Sequence, residues 1–230
     1  MSIKEFFKNL KLNKKRPVIF FDLFDTLVKV DRGILESYFD NEIDRLGDLG
    51  KLKTAEATIS LLLEKNPTME KELNMTSKQL KIYYEKAMKK SLMNPSKQVL
   101  EMLQSLKEKG YDLCVISDAS FVDIIKWYDS PLAKYFDKTI FSCEVGFIKP
   151  DLRLYNYAKN MMRNPNVSIF VGDGGHNELM GAHQSGMITI KAEWIKNYTE
   201  DEIYKYANYN IQEATNIIKL VEEIENKKRN

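Results

Sequence analysis

The sequence predicts an α/β protein: a parallel sheet flanked by helices, with an all-helical segment inserted after the first strand. Three observations predict it. Val18-Ile19-Phe20-Phe21 is apolar at every position, the pattern of a strand buried on both faces. From residue 95 onward helix-like and strand-like patterns alternate, as βα units require. Residues 31–94 carry amphipathic helical patterns and no strand-like alternation. The 230 residues therefore divide into a core, 1–30 and 95–230, and a helical module, 31–94.

Taken in order, the chain opens on a basic stretch, Lys4, Lys8, Lys11, Lys14, Lys15 and Arg16, with Ile3, Phe6, Phe7 and Leu10 at helical spacing. It reads as a membrane-surface helix or as a short helix packing on the domain, and an apolar face of about two turns favours the second. Pro17 stops it and opens the first strand. In the insert, Ile34, Leu35, Tyr38, Phe39, Ile43 and Leu46 form one helical pattern, Ala57 to Leu63 a second, and Leu80, Tyr83, Tyr84, Ala87 and Met88 a third. Gly47, Gly50 and Asn66-Pro67 separate them. Asn94-Pro95 then starts a helix lined by Val99, Leu103 and Leu106 and ended by Gly110. The alternation continues with strand 111–117, helix 121–128, strand 139–142, helix 152–162, strand 167–171, helix 177–184 ended by Gly186, and strand 187–191. The tail from Ile211 to Ile224 reads as a final helix on the core, with a dimer helix as the alternative.

Composition excludes several classes. A net charge of +2 is too small for a nucleic-acid footprint. No apolar run approaches a membrane span, and no leader with a small-residue cleavage site is visible. Cys114 and Cys143 lie in apolar, strand-like segments and read as reduced thiols, so the expected location is cytoplasmic. Without a CxxC pair or a His/Cys cluster, structural zinc is not expected. Trp127 and Trp194 read as packing residues.

Chemistry concentrates at the strand ends, where ligands bind in parallel sheets. The first strand ends at Asp22, and the second at Ser117-Asp118. Lys149-Pro150-Asp151 follows the third, and Gly172-Asp173-Gly174-Gly175-His176-Asn177-Glu178 ends the fourth. Taken singly, Asp22 or Ser117 also suits a helix cap, Lys149 a surface lysine and the glycines a loop. Together they place a nucleophile, a hydroxyl, a cation and an acidic pair on one sheet edge. His176 is either a solvent-facing loop residue or a substrate contact able to supply a proton near neutral pH. His183 faces outward or packs within its helix.

This order and spacing resemble the haloacid dehalogenase superfamily, most of whose members are magnesium-dependent phosphatases. Asp22-Leu-Phe-Asp-Thr26-Leu looks like its first motif, Ser117 its second, Lys149-Pro its third, and Gly172-Asp173 with Glu178 its fourth. The resemblance implies a three-layer, Rossmann-like core with residues 31–94 as a cap. It implies Asp22 as the nucleophile that becomes an aspartyl phosphate. Ser117, Asp118 and Lys149 would bind the substrate, with Arg32 a further candidate. Asp22, the backbone carbonyl of Phe24, Asp173 and Glu178 would hold Mg2+. The expected partner is a small phosphorylated metabolite.

One position departs from the pattern. The family's general acid stands two residues after the nucleophile, and here that residue is Phe24. Asp25 is one residue on, a shift that normally turns a side chain away from the site. Loss of a general acid costs about a hundred- to ten-thousand-fold, roughly 3–5 kcal/mol of barrier. The pattern therefore admits a phosphatase acting on good leaving groups, one whose acid or base comes from the cap (Arg32, Tyr38, Tyr83 or Tyr84), a metal-independent dehalogenase, or a weakly active module that binds a phosphorylated ligand or a protein.

Overall fold

The computed structural model describes residues 16–35 and 67–229. The basic segment before Arg16 and the helical patterns from Tyr38 to Leu63 lie outside the described residues. Within them, six strands form one parallel sheet in the order β3-β2-β1-β4-β5-β6. These are β1 (Val18–Phe21), β2 (Asp112–Ser117), β3 (Lys138–Phe141), β4 (Ser168–Gly172), β5 (Ile188–Ala192) and β6 (Tyr209–Ile211). β1 lies between β2 and β4, with Val18 opposite both Asp112 and Ser168. The connections leave β1 in opposite directions, so a crevice opens at its carboxyl end.

Alternation along each strand builds two cores. Ile19, Phe21, Leu113, Val115, Ile169 and Val171 face α3 (Lys97–Glu108) and α8 (Ile217–Arg229) through Val99, Leu103, Leu106, Ile217 and Val221. Val18, Phe20, Cys114, Ile116 and Phe170 face α5 (Leu152–Met161) and α6 (Glu178–Gln184) through Leu154, Tyr155, Leu179 and Ala182. Both faces of β1 are therefore covered, which is why Val-Ile-Phe-Phe carries no polar residue. This is the expected three-layer, Rossmann-like arrangement. Cys114 and Cys143 are free thiols, and no described helix is long and apolar enough to cross a membrane.

The described part of the insert is helical: α1 (Pro67–Leu73) and α2 (Ser77–Met93), the latter opened by a Thr76–Gln79 capping box. Leu80, Tyr84 and Met88 of α2 pack with Met69 of α1 and with Val30 and Leu35. The Tyr84 hydroxyl donates to the buried carboxylate of Asp123, tying α2 to the segment after β2.

Several boundaries differ from expectation. α3 starts at Lys97 rather than at Pro95, because Ser96 Oγ accepts the Val99 N–H (3.2 Å) and fixes the cap there. The segment 121–128 forms turns and a single 3-10 turn at Trp127–Asp129 instead of a helix. The Asp123 carboxylate accepts the Ser120 N–H (2.6 Å) and Ser120 Oγ the Asp123 N–H, local bonds that compete with helical ones. The tail helix starts at Ile217, and Ile211 instead ends β6, an edge strand of three residues. Short helices α4 (Ser142–Val145) and α7 (Asp201–Tyr204) complete the described fold.

Candidate active site

The ladder carries Asp22 to the crevice: its N–H donates to Val171 O (2.9 Å), extending β1 by one residue against β4. The chain then turns sharply. Leu27 and Val28 N–H both return to Leu23 O, and Asp25 adopts a positive φ of 58°. Ser117 is the last residue of β2, and its hydroxyl is buried at the crevice. Lys149 follows α4, and its N–H is held by Asp118 Oδ1 (2.9 Å). Asp173 and Glu178 come from the loop between β4 and the first turn of α6. In that loop Asp173 Oδ1 accepts the Gly175 N–H and Glu178 Oε1 the Gly174 N–H, both at 2.9 Å.

These groups converge. Lys149 Nζ lies 2.5 Å from Asp22 Oδ1 and 2.6 Å from Glu178 Oε2, with all three side chains buried. Asp22, Asp173 and Glu178 each offer a carboxylate oxygen within 4.8 Å of the other two. Burial raises the Asp22 and Glu178 pKa values to about 7, against the pull of Lys149, and raises Asp173 to about 6, helped by the charge on Asp22. Burial alone would lower the Lys149 ammonium, but Asp22, Glu178 and Asp118 outweigh it and hold its pKa well above the usual value. Three buried carboxylates with one cation between them form a donor set of the kind that hard divalent cations take. Asp22, Asp173 and Glu178 could therefore hold a divalent metal ion together.

A cavity of about 410 Å³ opens above the cluster. Asp22, Ser117, Asp118, Lys149, Asp173 and Glu178 line it, and so do Arg32, Phe24 and the exposed His176. Among the candidates for the missing acid, Tyr84 is buried against Asp123 and Tyr83 accepts the Ile34 N–H (3.3 Å); neither lines the cavity. Tyr38 lies outside the described residues. His183 is exposed, its ring centre 6.0 Å from that of Tyr206.

Asp25 corrects an expectation. It faces the cavity rather than away from it, because the strand has ended and the positive φ breaks the two-residue alternation. Its carboxylate accepts the Val30 N–H (3.1 Å) and lies 3.6 Å from Lys196 Nζ. Lys196 and Tyr198 complete the wall and were missed. The signal was available: they follow β5, whose end lies on the same edge as the four strand ends that drew attention. Trp194 does more than pack, for its Nε1–H donates to Thr26 O (2.7 Å) and pins this loop to the turn after Asp22.

Residues 19–192 match the sequence profile of the haloacid dehalogenase-like hydrolases, and the chain belongs to that family. Among characterised relatives, the glyceraldehyde 3-phosphate phosphatase of Methanothermobacter thermautotrophicus is 29% identical over 192 residues, covering 75% of this chain and 83% of that protein. Bifunctional epoxide hydrolase 2 of Rattus norvegicus is 34% identical over 98 residues, 40% of this chain; the match spans only 18% of that longer protein. Of solved structures, an L-2-haloacid dehalogenase superposes with a TM-score of 0.70 at 17% identity, covering 90% of this chain and 99% of that one. A putative hydrolase of Bacillus subtilis bound to magnesium does so with a TM-score of 0.67 at 16% identity, covering 90% and 99%. At those identities the likeness speaks for the fold. The chain is a hydrolase of this family.

Proposed function

We propose that this hydrolase removes phosphate from a small phosphorylated metabolite through an aspartyl phosphate on Asp22. The observation that carries the reading is the enclosure of Lys149 between Asp22 and Glu178, beside Asp173, at the floor of a cavity of about 410 Å³. Asp22 Oδ attacks phosphorus and displaces the ester oxygen, and water then releases phosphate from the acyl phosphate. Lys149 neutralises charge gathering between the carboxylate and the phosphoryl oxygens. The Ser117 hydroxyl, at the end of β2, donates to one of those oxygens. Mg2+ held by Asp22, Asp173, Glu178 and the Phe24 carbonyl would supply further charge neutralisation. We read the insert, residues 31–94, as the cap, a role supported among the described residues by the packing of α2 against Val30, which lines the cavity, and its bond to Asp123. The phosphatase named among the relatives supports the substrate class.

The test is phosphate release from a panel of phosphorylated metabolites and acyl phosphates, with and without Mg2+. We expect Mg2+-dependent release that falls at least about a thousandfold in Asp22→Asn. Equal turnover in the variant overturns the reading. Halide release is the second reading, favoured by Phe24, since halide departs without a proton. Release of halide from 2-haloacids in chelator would establish it. Stabilisation by beryllofluoride and Mg2+ without any product would leave a binding module.

A further inference from the structure

Phe24 leaves the ester oxygen without its usual proton donor, and the wall of the cavity offers a replacement. Resting on the phosphatase reading above, we propose that Tyr198 is the general acid and base of this site, with Lys196 stabilising its phenolate. Three other groups are committed or unsuited, and His176, exposed on the same wall beside the charge of Asp118, is the rival donor. Lys149 is clasped by Asp22 and Glu178. Asp25 holds the Val30 N–H and faces Lys196. Arg32 stays protonated at any working pH.

Tyr198 is half-buried on the cavity wall and lies against Gly175. A side-chain carbon at Gly175 would stand 3.5 Å from its Cε2 and 3.7 Å from its hydroxyl. The ammonium of Lys196 is 4.6 Å from the centre of the Tyr198 ring.

The loop that carries them is built rather than draped. Trp194 Nε1 ties it to Thr26 O (2.7 Å), and the fully buried Lys191 at the end of β5 binds Glu193 (3.0 Å) and Asn197 (2.6 Å). Asn197 immediately precedes Tyr198, so the phenol is delivered from an anchored backbone. A phenol on the wall of a phosphoryl site, with an ammonium at its ring, has a chemical use.

The proton balance closes over both half-reactions. As the Asp22 oxygen bonds to phosphorus and the P–O ester bond breaks, the departing alkoxide takes the proton of Tyr198 Oη. Lys196 stabilises the phenolate. In the second half, water attacks phosphorus, its proton returns to Tyr198, and Asp22 leaves as a carboxylate with free phosphate as product.

The experiment reads leaving-group dependence. In Mg2+, kcat/KM is measured for glycerol phosphate, whose alkoxide needs a proton, and for p-nitrophenyl phosphate, whose phenolate departs without one. In Tyr198→Phe the alkyl-to-aryl ratio is expected to fall about a hundredfold, and in Lys196→Met about tenfold. A merely structural loss lowers both esters together, so an unchanged ratio in the folded variants overturns the proposal. Lys196 is partly exposed, and its variant carries the test should Tyr198→Phe fail to fold. Absence of Asp22-dependent release from either ester in the unmodified protein overturns the phosphatase reading and this inference with it, a result distinct from a flat ratio.

Discussion

Lys149 is buried between Asp22 and Glu178, and its removal leaves those two acids facing each other without a cation. Breaking a buried pair on one side costs about 3–5 kcal/mol. Lys149→Met is therefore expected to lower stability by about 3 kcal/mol in chelator at pH 8, measured by urea unfolding. The loss should shrink at pH 5, where Asp22 and Glu178, with pKa values of about 7, carry protons instead. Phe24 offers a second prediction at this scale. In a Tyr198→Phe background, Phe24→Asp should recover at least about tenfold of the lost turnover of glycerol phosphate, because a carboxyl returns to the family's acid position. At residue scale the sequence was legible wherever an acid or hydroxyl directly ended or followed a strand, as at Asp22, Ser117 and Asp173, and Lys149, set apart from β3 by α4, was legible through its Lys-Pro pair. Asp25 was misread because its orientation depends on a backbone torsion, which residue spacing does not encode. Lys196 and Tyr198 escaped because their loop is positioned by tertiary contacts, Trp194 to Thr26 and Lys191 to Asn197.

Two glycines fix how the elements meet around the site. A Cβ on Gly172, at the end of β4, would collide with Glu178 Oε1 and stand 2.7 Å from its Cδ. Gly172→Ala is therefore expected to push Glu178 off the cluster and weaken Mg2+ binding at least about tenfold, read by calorimetric titration, with a smaller loss in Tm. Gly181 lets α6 close on the chain before α5: a Cβ there would lie 2.6 Å from Pro150 O and 2.6 Å from Tyr155 Cε2. The elements themselves were legible where apolar residues kept one period, as in β1, α3 and α5. They were illegible at 121–128, where Ser120 and Asp123 bind the backbone locally, and at β6, whose three residues are too short to show a period.

Across the whole molecule, the carboxylate cluster couples stability to pH and, on the proposed function, to metal. Asp22 and Glu178 rise from ordinary values of 3.8 and 4.5 to about 7, and Asp173 from 3.8 to about 6. The folded state therefore binds more protons than the unfolded state between roughly pH 4 and pH 7, and their contribution to stability is lost as pH rises through that window. In chelator the Tm should fall from pH 5 to pH 8, and Glu178→Gln should flatten the slope. Mg2+ bound there, as proposed, would compete with those protons, so its stabilisation should be larger at pH 8 than at pH 5. A wild-type Tm in chelator that climbs across the window would contradict the cluster's electrostatics.

The placement of β1 between β2 and β4 has a consequence for biosynthesis. Val18–Phe21 is translated long before Ser168–Gly172, yet it needs that partner to complete its pairing. The greasy strand that leads to Asp22 must therefore wait, half-paired, while most of the chain is still to be made. Such a strand invites chaperone capture or aggregation until β4 emerges.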